Sequence, residues 1–343
     1  MSERLTDRER KVLEAIIETY IDTAEPAGSR TIAKRFPLGV SAATVRNTMS
    51  DLEERGYLFH PHTSAGRVPT DRAYRAYVDQ LIRRSPPTAE ERGAIERELR
   101  SDAGVIEGLL QKAAQVLGVV TQELGVAVAP SFDQAVLENL ELMRVSSERL
   151  LMVLVVRGGV ARTIFVEVSN HLPVEAVSKV ARVLNERLSG LTLREVRTTV
   201  RDRLRDSGRD PSESELLNIF IEEAEHLFAS GGDQGDILLG SAQLLADQPE
   251  FATNEQMRTL LDITERRDLL REALKQRQGS GITVTIGGEH LDPRLRQFTI
   301  VTSSYRRGSL SGVIGVMGPT RMPYEKILGL VEHTSRLVEG LAK

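Results

Sequence analysis

The sequence predicts a multidomain α+β protein: a small helical head, then a mixed helix–strand body interrupted by a charged, helix-rich stretch. Three observations predict it. The chain has 343 residues, enough for two or three domains at about 100–200 residues each. Its hydrophobic period changes from helical to strand-like after Pro130 and again near Ile282. A Ser-Pro-Pro-Thr segment at Ser85–Thr88 blocks helix continuation and marks a linker, so the first boundary falls at about residue 85.

In the head, Thr6 has the chemistry of an N-cap, with Glu9 as its capping-box partner. Val12, Leu13, Ile16, Ile17, Tyr20 and Ile21 follow as an apolar stripe. Pro26-Ala27-Gly28 breaks that helix. A short second helix starts at Ser29 and ends before Pro37, and Leu38-Gly39-Val40 makes the next turn. Ser41 caps a third helix, Ala42 to Glu54, and Gly56 stands where a C-cap is wanted. Two helices, a tight Gly-containing turn and a third helix make a helix-turn-helix. Tyr57-Leu58-Phe59, a Pro- and Gly-rich loop and a return at Val68 add a small hairpin, which completes a winged-helix pattern.

The body starts with helix over residues 88–124, broken near Gly104, with Leu109, Leu110, Ala113, Ala114 and Leu117 at helical spacing. Leu150–Val156 and Val160–Val168 read as strands joined through Gly158-Gly159. Pro173 opens a helix to about Leu188. Near the C-terminus, Ile282–Ile286, Phe298–Ser303 and Leu310–Met317 read as strands, with a turn at Arg306-Arg307-Gly308, and Pro323–Leu341 as a closing helix. Between these sets, residues 196–281 are helix-rich and charged. One α/β domain with an insertion and a row of sequential domains both fit this pattern.

Composition excludes several function classes. The chain has no Cys, which removes disulfides, Cys-based zinc sites, iron–sulfur clusters and thiol nucleophiles, and fits a reducing cytoplasm. The longest apolar run is the seven residues Leu150–Val156, against about 20 for a membrane span. The charged N-terminus is not a secretory signal. Gly231-Gly232 and Gly287-Gly288 lack phosphate-loop spacing, and no Ser-His-acid set is identifiable, so the chain is not expected to be an enzyme. His60 and His62 lack a third ligand, and no metal or cofactor is expected. Net charge is -4 overall, yet residues 1–84 hold 14 Lys/Arg against 12 Asp/Glu. Only the head leans basic.

The third helix carries the chemistry. At ~100° per residue, Met49 and Leu52 fall within about 40° of Val45 and form a buried side. Ala43, Asn47 and Ser50 lie on the opposite side, flanked by Thr44 and Arg46. Such a small, hydrogen-bonding surface suits a DNA major groove. Asn pairs bidentately with adenine and Arg with guanine, while Ser and Thr serve phosphates or bases. The candidate DNA-binding residues are Ser41, Thr44, Arg46 and Asn47, with Arg67 reaching the minor groove from a wing tip of Ser64-Ala65-Gly66-Arg67.

The run from PAGSRTIAKRF through SAATVRNTMSDLEERGYLFHPHTSAGRVPT closely resembles the HrcA family of heat-inducible transcription repressors. GDILLGSAQLLADQPEF at 235–251 and VIGVMGPTRMPYEKILGLVEHTSRLVEGL at 313–341 extend the resemblance over essentially the whole chain, with 196–234 loose. The resemblance implies a winged helix at 1–85, a GAF-like domain in two parts (86–195 and 282–343) and a dimerising domain at 196–281 inserted into it. It also implies a cytoplasmic homodimer that binds an inverted-repeat operator, CIRCE, ahead of chaperonin and chaperone operons. Heat would relieve repression, and a GroEL-type chaperonin would keep the repressor active. Leu238, Leu239, Leu244 and Leu245 are expected either to self-associate or to fill the insertion's own core. The rival reading is a small-molecule-sensing regulator with a ligand-binding GAF domain.

Overall fold

The computed structural model describes residues 5–61, 66–82, 85–100, 106–130, 132–168, 172–205, 207, 210–228, 237–275, 281–307 and 310–341. Three helices open the chain: α1 (Asp7–Thr23), α2 (Ser29–Arg35) and α3 (Ala42–Glu54). A hairpin of β1 (Leu58–Phe59) and β2 (Val68–Pro69) follows, then α4 (Asp71–Ala76), which runs into a π-helical turn at Tyr77–Leu81. Helices α5 (Ala89–Arg100) and α6 (Ile106–Thr121) lead to strand β3 (Leu124–Val128). Strands β4 (Leu137–Arg144), β5 (Arg149–Val156) and β6 (Val160–Glu167) precede helices α7 (Val174–Leu188), α8 (Leu193–Leu204), α9 (Pro211–Glu222) and α10 (Ala224–Leu227). Strand β7 (Ile237–Leu239), helices α11 (Gln243–Ala246), α12 (Asn254–Glu265) and α13 (Arg267–Lys275), and strand β8 (Ile282–Ile286) follow. Strands β9 (Phe298–Arg307) and β10 (Leu310–Pro319) and helix α14 (Tyr324–Leu341) close the chain, which is therefore α+β.

The chain gathers into two compact units. The first holds residues up to Ala127, Leu238–Ser304 and Val313–Leu341; the second holds Val128–Ile237 and Tyr305–Gly312. The chain thus leaves the first unit and returns to it, but at other points than residues 196 and 281. The hairpin of Leu150–Val168, assigned by sequence to the first part of an α/β domain, belongs with the helices that follow it. Those helices bury Leu193, Val196, Val200, Leu204, Leu216, Leu217 and Phe220 in one core with Leu140, Leu150, Met152 and Leu154. Much of the charge that marks 196–222 in the sequence lies on their outer surface, but the side chains of Arg197 and Glu213 are buried and paired with Asp133 and Lys179, each at 2.9 Å.

In the first unit, α1 begins with a complete capping box between Thr6 and Glu9. Val12, Leu13, Ile16 and Ile17 are buried along one stripe. The larger sheet has the order β7-β3-β10-β9-β8. All five residues of β3 are buried, as are Ile300, Val301, Val313, Ile314, Val316 and Met317 of β9 and β10. Strand β9 continues through Arg307, past the position where a turn is expected, and Gly308 lies outside the described residues. The leucine cluster lies in this unit: Leu238 and Leu239 form part of β7, and Leu245 is fully buried. Leu238, Leu239 and Leu244 are half-buried. The segment at residue 85 is no free linker, since the Ser85 N–H donates to Glu325 O at 3.3 Å and the bare Cα of Gly329 packs against the Ser85 carbonyl.

The second unit is built on an antiparallel sheet of order β4-β5-β6. Helix α7 is pinned to β4 by Asn185, whose Oδ1 accepts the Leu140 N–H (2.8 Å) while its Nδ2 donates to Leu140 O (2.6 Å). A side-chain amide thus stands in for a neighbouring strand. Along β5, Leu150, Met152, Leu154 and Val156 are buried, and Leu151, Val153 and Val155 face outward half-exposed. Register puts Met143, Leu151 and Phe165 in one cross-strand row on that outer face. Met143 is 48% exposed and Phe165 59%. Among the described residues, no helix is long and apolar enough to cross a membrane, and no group of three or more His, Asp or Glu could hold a metal ion.

Candidate nucleic-acid interface

Helix α3 owes its start to Ser41, whose Oγ accepts the Thr44 N–H at 3.2 Å and lies 3.0 Å from Thr44 Oγ1. Such a cap is worth about 1 kcal/mol. It also ties two of the candidate hydroxyls into one unit at the helix N-terminus, where the backbone dipole favours an anion. Gly39, at φ +68, supplies the left-handed residue that the turn before the cap requires.

The helix is amphipathic as its sequence demands. Val45, Met49 and Leu52 are buried against the other head helices, and Thr48 is buried with its hydroxyl donating to Thr44 O. Ser41, Arg46 and Asn47 are exposed, and Thr44 is half-buried. Among the described residues, no hydrogen bond or ion pair engages the side chain of Arg46 or Asn47. Four of the five candidate residues therefore come together on one exposed, hydrogen-bonding surface.

Arg67 sits differently. It is the last loop residue before β2, and its backbone is held down on Ala27 by two hydrogen bonds, each 2.9 Å. Gly66 permits this approach, because a Cβ there would collide with the Ala27 and Pro26 carbonyls. The Arg67 guanidinium turns back onto Glu53 at 2.7 Å and is 17% exposed. It braces the far end of α3 and offsets one of the acidic residues there (Asp51, Glu53 and Glu54). Of the expected tip, Ser64 and Ala65 lie outside the described residues, as does His62.

Sequence reasoning missed three features. Arg30 and Lys34 are exposed on α2, on the side opposite the buried Ile32, and add positive charge next to α3. Their i,i+4 spacing was a readable signal. Phe59 is exposed on β1, in the hairpin itself. The third feature is the Glu53–Arg67 brace, which no local spacing announces.

A family model described as HrcA protein C terminal domain matches residues 107–328. The heat-inducible transcription repressor HrcA of Chlorobium phaeobacteroides is 39% identical, covering 98% of this chain and 99% of its own. Its counterpart from Geobacter sulfurreducens is 36% identical over 98% of each chain. A crystal structure of a hypothetical protein at 2.2 Å resolution aligns with a TM-score of 0.67 at 24% identity, covering 99% of both chains, and so shares the fold. With a family model over most of its length and relatives that match it from end to end, the chain belongs to the HrcA family.

Proposed function

We propose that this chain is a cytoplasmic, DNA-binding repressor of heat-shock operons that occupies an inverted-repeat operator of the CIRCE type as a homodimer. One observation carries the reading: α3 offers Ser41, Thr44, Arg46 and Asn47 to solvent while burying its apolar side. The head then acts as a winged helix with α3 in the major groove. Arg46 and Asn47 read bases, Ser41 and Thr44 serve a phosphate or base at the helix start, and Arg67 steadies α3 through Glu53. The five-stranded sheet forms a GAF-like body that holds no ligand, and the unit of Val128–Ile237 supplies dimerisation. An inverted repeat calls for two-fold protein symmetry. The outer face of β4-β5-β6, with Met143, Leu151 and Phe165 in line, is a patch that a second copy can match with its own. Heat loosens the dimer: about 1–2 kcal/mol changes the active population several-fold. The apolar face so uncovered is the surface a GroEL-type chaperonin would engage.

The test is selection of bound fragments from the host genome by the purified protein, below and above the heat-shock temperature. Recovery of a palindrome ahead of chaperone operons, with occupancy falling on heating, is expected. Fragments without two-fold symmetry would refute the reading.

A further inference from the structure

Two arginines bolt the head to the body at separate points. The first is Arg75 on α4. Its Nε donates to Glu289 Oε1 at 2.7 Å, and its Nη2 to Glu289 Oε2 at 2.5 Å and to Val284 O at 2.7 Å. One turn earlier, Asp71 Oδ2 accepts the Gly288 N–H at 2.7 Å. Gly287 lets the carboxylate in, because a Cβ there would collide with it. The second is Arg321, 15% exposed, in the loop between β10 and α14. Its Nη1 donates to Ile21 O at 2.6 Å, its Nε to Glu250 Oε1 at 2.5 Å and its Nη2 to Glu250 Oε2 at 3.1 Å.

The Ile21 carbonyl belongs to the last turn of α1, where helix carbonyls lack intrahelical partners and the dipole is negative. That turn has no basic residue of its own. A guanidinium from the far end of the chain supplies the missing cation. Between the two clasps, the Tyr324 ring packs on Tyr74 and Tyr77, with centroids 5.8 and 6.5 Å away. A single clasp would leave the head a rotation axis; two separated clasps remove it. Planar, bidentate guanidinium–carboxylate pairs fix direction as well as distance.

We infer that Arg75 and Arg321 are positioning residues for operator reading: by locking the orientation of α3 on the body, they make the protein select the spacing between the two half-sites. This rests on the paired-head reading above.

The chain has no native cysteine, so labels can be placed at will. Nitroxides at Lys34→Cys and Gln297→Cys, both exposed, report the head–body distance by pulsed electron resonance in full-length protein diluted with unlabelled chains. One narrow distance is expected, and a broad distribution when Arg321→Met is combined with Glu289→Ala. On inverted-repeat DNA, lengthening the spacer by half a helical turn, about five base pairs, should weaken the parent more than tenfold and the unclasped variant less than threefold. Binding to a single half-site should stay within twofold. If circular dichroism shows that the double variant is not folded, Arg321→Lys with Glu289→Gln replaces it. A narrow distance and intact spacing selectivity in a folded unclasped variant overturn the inference. A parent indifferent to spacing, with a distance that broadens on unclasping, overturns the paired-head reading and the spacing role with it.

Discussion

The two sheets treat their apolar residues in opposite ways. In the five-stranded sheet, β3 is buried from end to end, and the middle of β9 and β10 is buried on both faces. In the three-stranded sheet, β5 is just as apolar in sequence, yet only every second residue is buried. A strand that is apolar on both faces should be covered on both faces. Among the described residues, one face of β5 stays half-exposed, and the dimer proposed above would cover it. The same distinction applies to α3, whose open side is polar and therefore suits a polar partner.

Substitutions should separate covered from open faces. The largest effect is expected in the covered sheet. A Cβ at Gly315 would collide with the Val301 carbonyl, so Gly315→Val should cost upward of about 3 kcal/mol and abolish cooperative melting of the body. Next, Leu151→Asp with Phe165→Asp on the open face should leave the melting temperature of the isolated protomer close to the parent's. It should weaken dimerisation at least about 100-fold by sedimentation, roughly 2.7 kcal/mol. A loss of protomer stability comparable to that of Gly315→Val would break the comparison. Asn47→Ala on the open side of α3 should cost about 1–3 kcal/mol of discrimination between operator and scrambled DNA, with no change in melting.

The smallest effect concerns Glu123, which enters β3 as a buried carboxyl. Burial pushes its pKa well up, against the Gln248 hydrogen bond and the Arg321 charge that pull it down. A carboxyl whose folded pKa exceeds its unfolded value binds more protons in the native state. Its contribution is therefore present at acid pH and is lost as pH rises from the unfolded pKa through the folded one. Glu123→Gln should melt like the parent near pH 4 and above it at alkaline pH in thermal scans. Equal melting at every pH would show that this acid is effectively hydrated and its side of the sheet open.

The head was legible because its signals are local. Caps at Thr6 and Ser41, the glycine at 39 and the stripe of Val45, Met49 and Leu52 all act within a few residues, and α3 spans the expected Ala42–Glu54. Arg67 was not legible, since its partner Glu53 lies on α3 and only the fold brings them together. The expected bounds of 196–281 differ from those of the compact unit for a similar reason. Much of the charge of residues 196–222 marks exposed helix faces, whereas the boundary depends on which sheet those helices cover. Strand β3 is too short to show a period, and β4 alternates too weakly beside its charged residues. The clasps formed by Arg75 and Arg321 span more than 200 residues of sequence, beyond any local pattern.

The chain leaves the first unit after Ala127, at the end of β3, and re-enters it at Leu238, in β7, the strand beside β3 in the sheet. The Gly240 N–H donates to Gly125 O at 2.8 Å across that seam. Exit and entry are therefore neighbours, and a short reverse turn could close the gap. Residues 128–237 could thus be exchanged for another module while the β7-β3 edge of the sheet keeps its pairing.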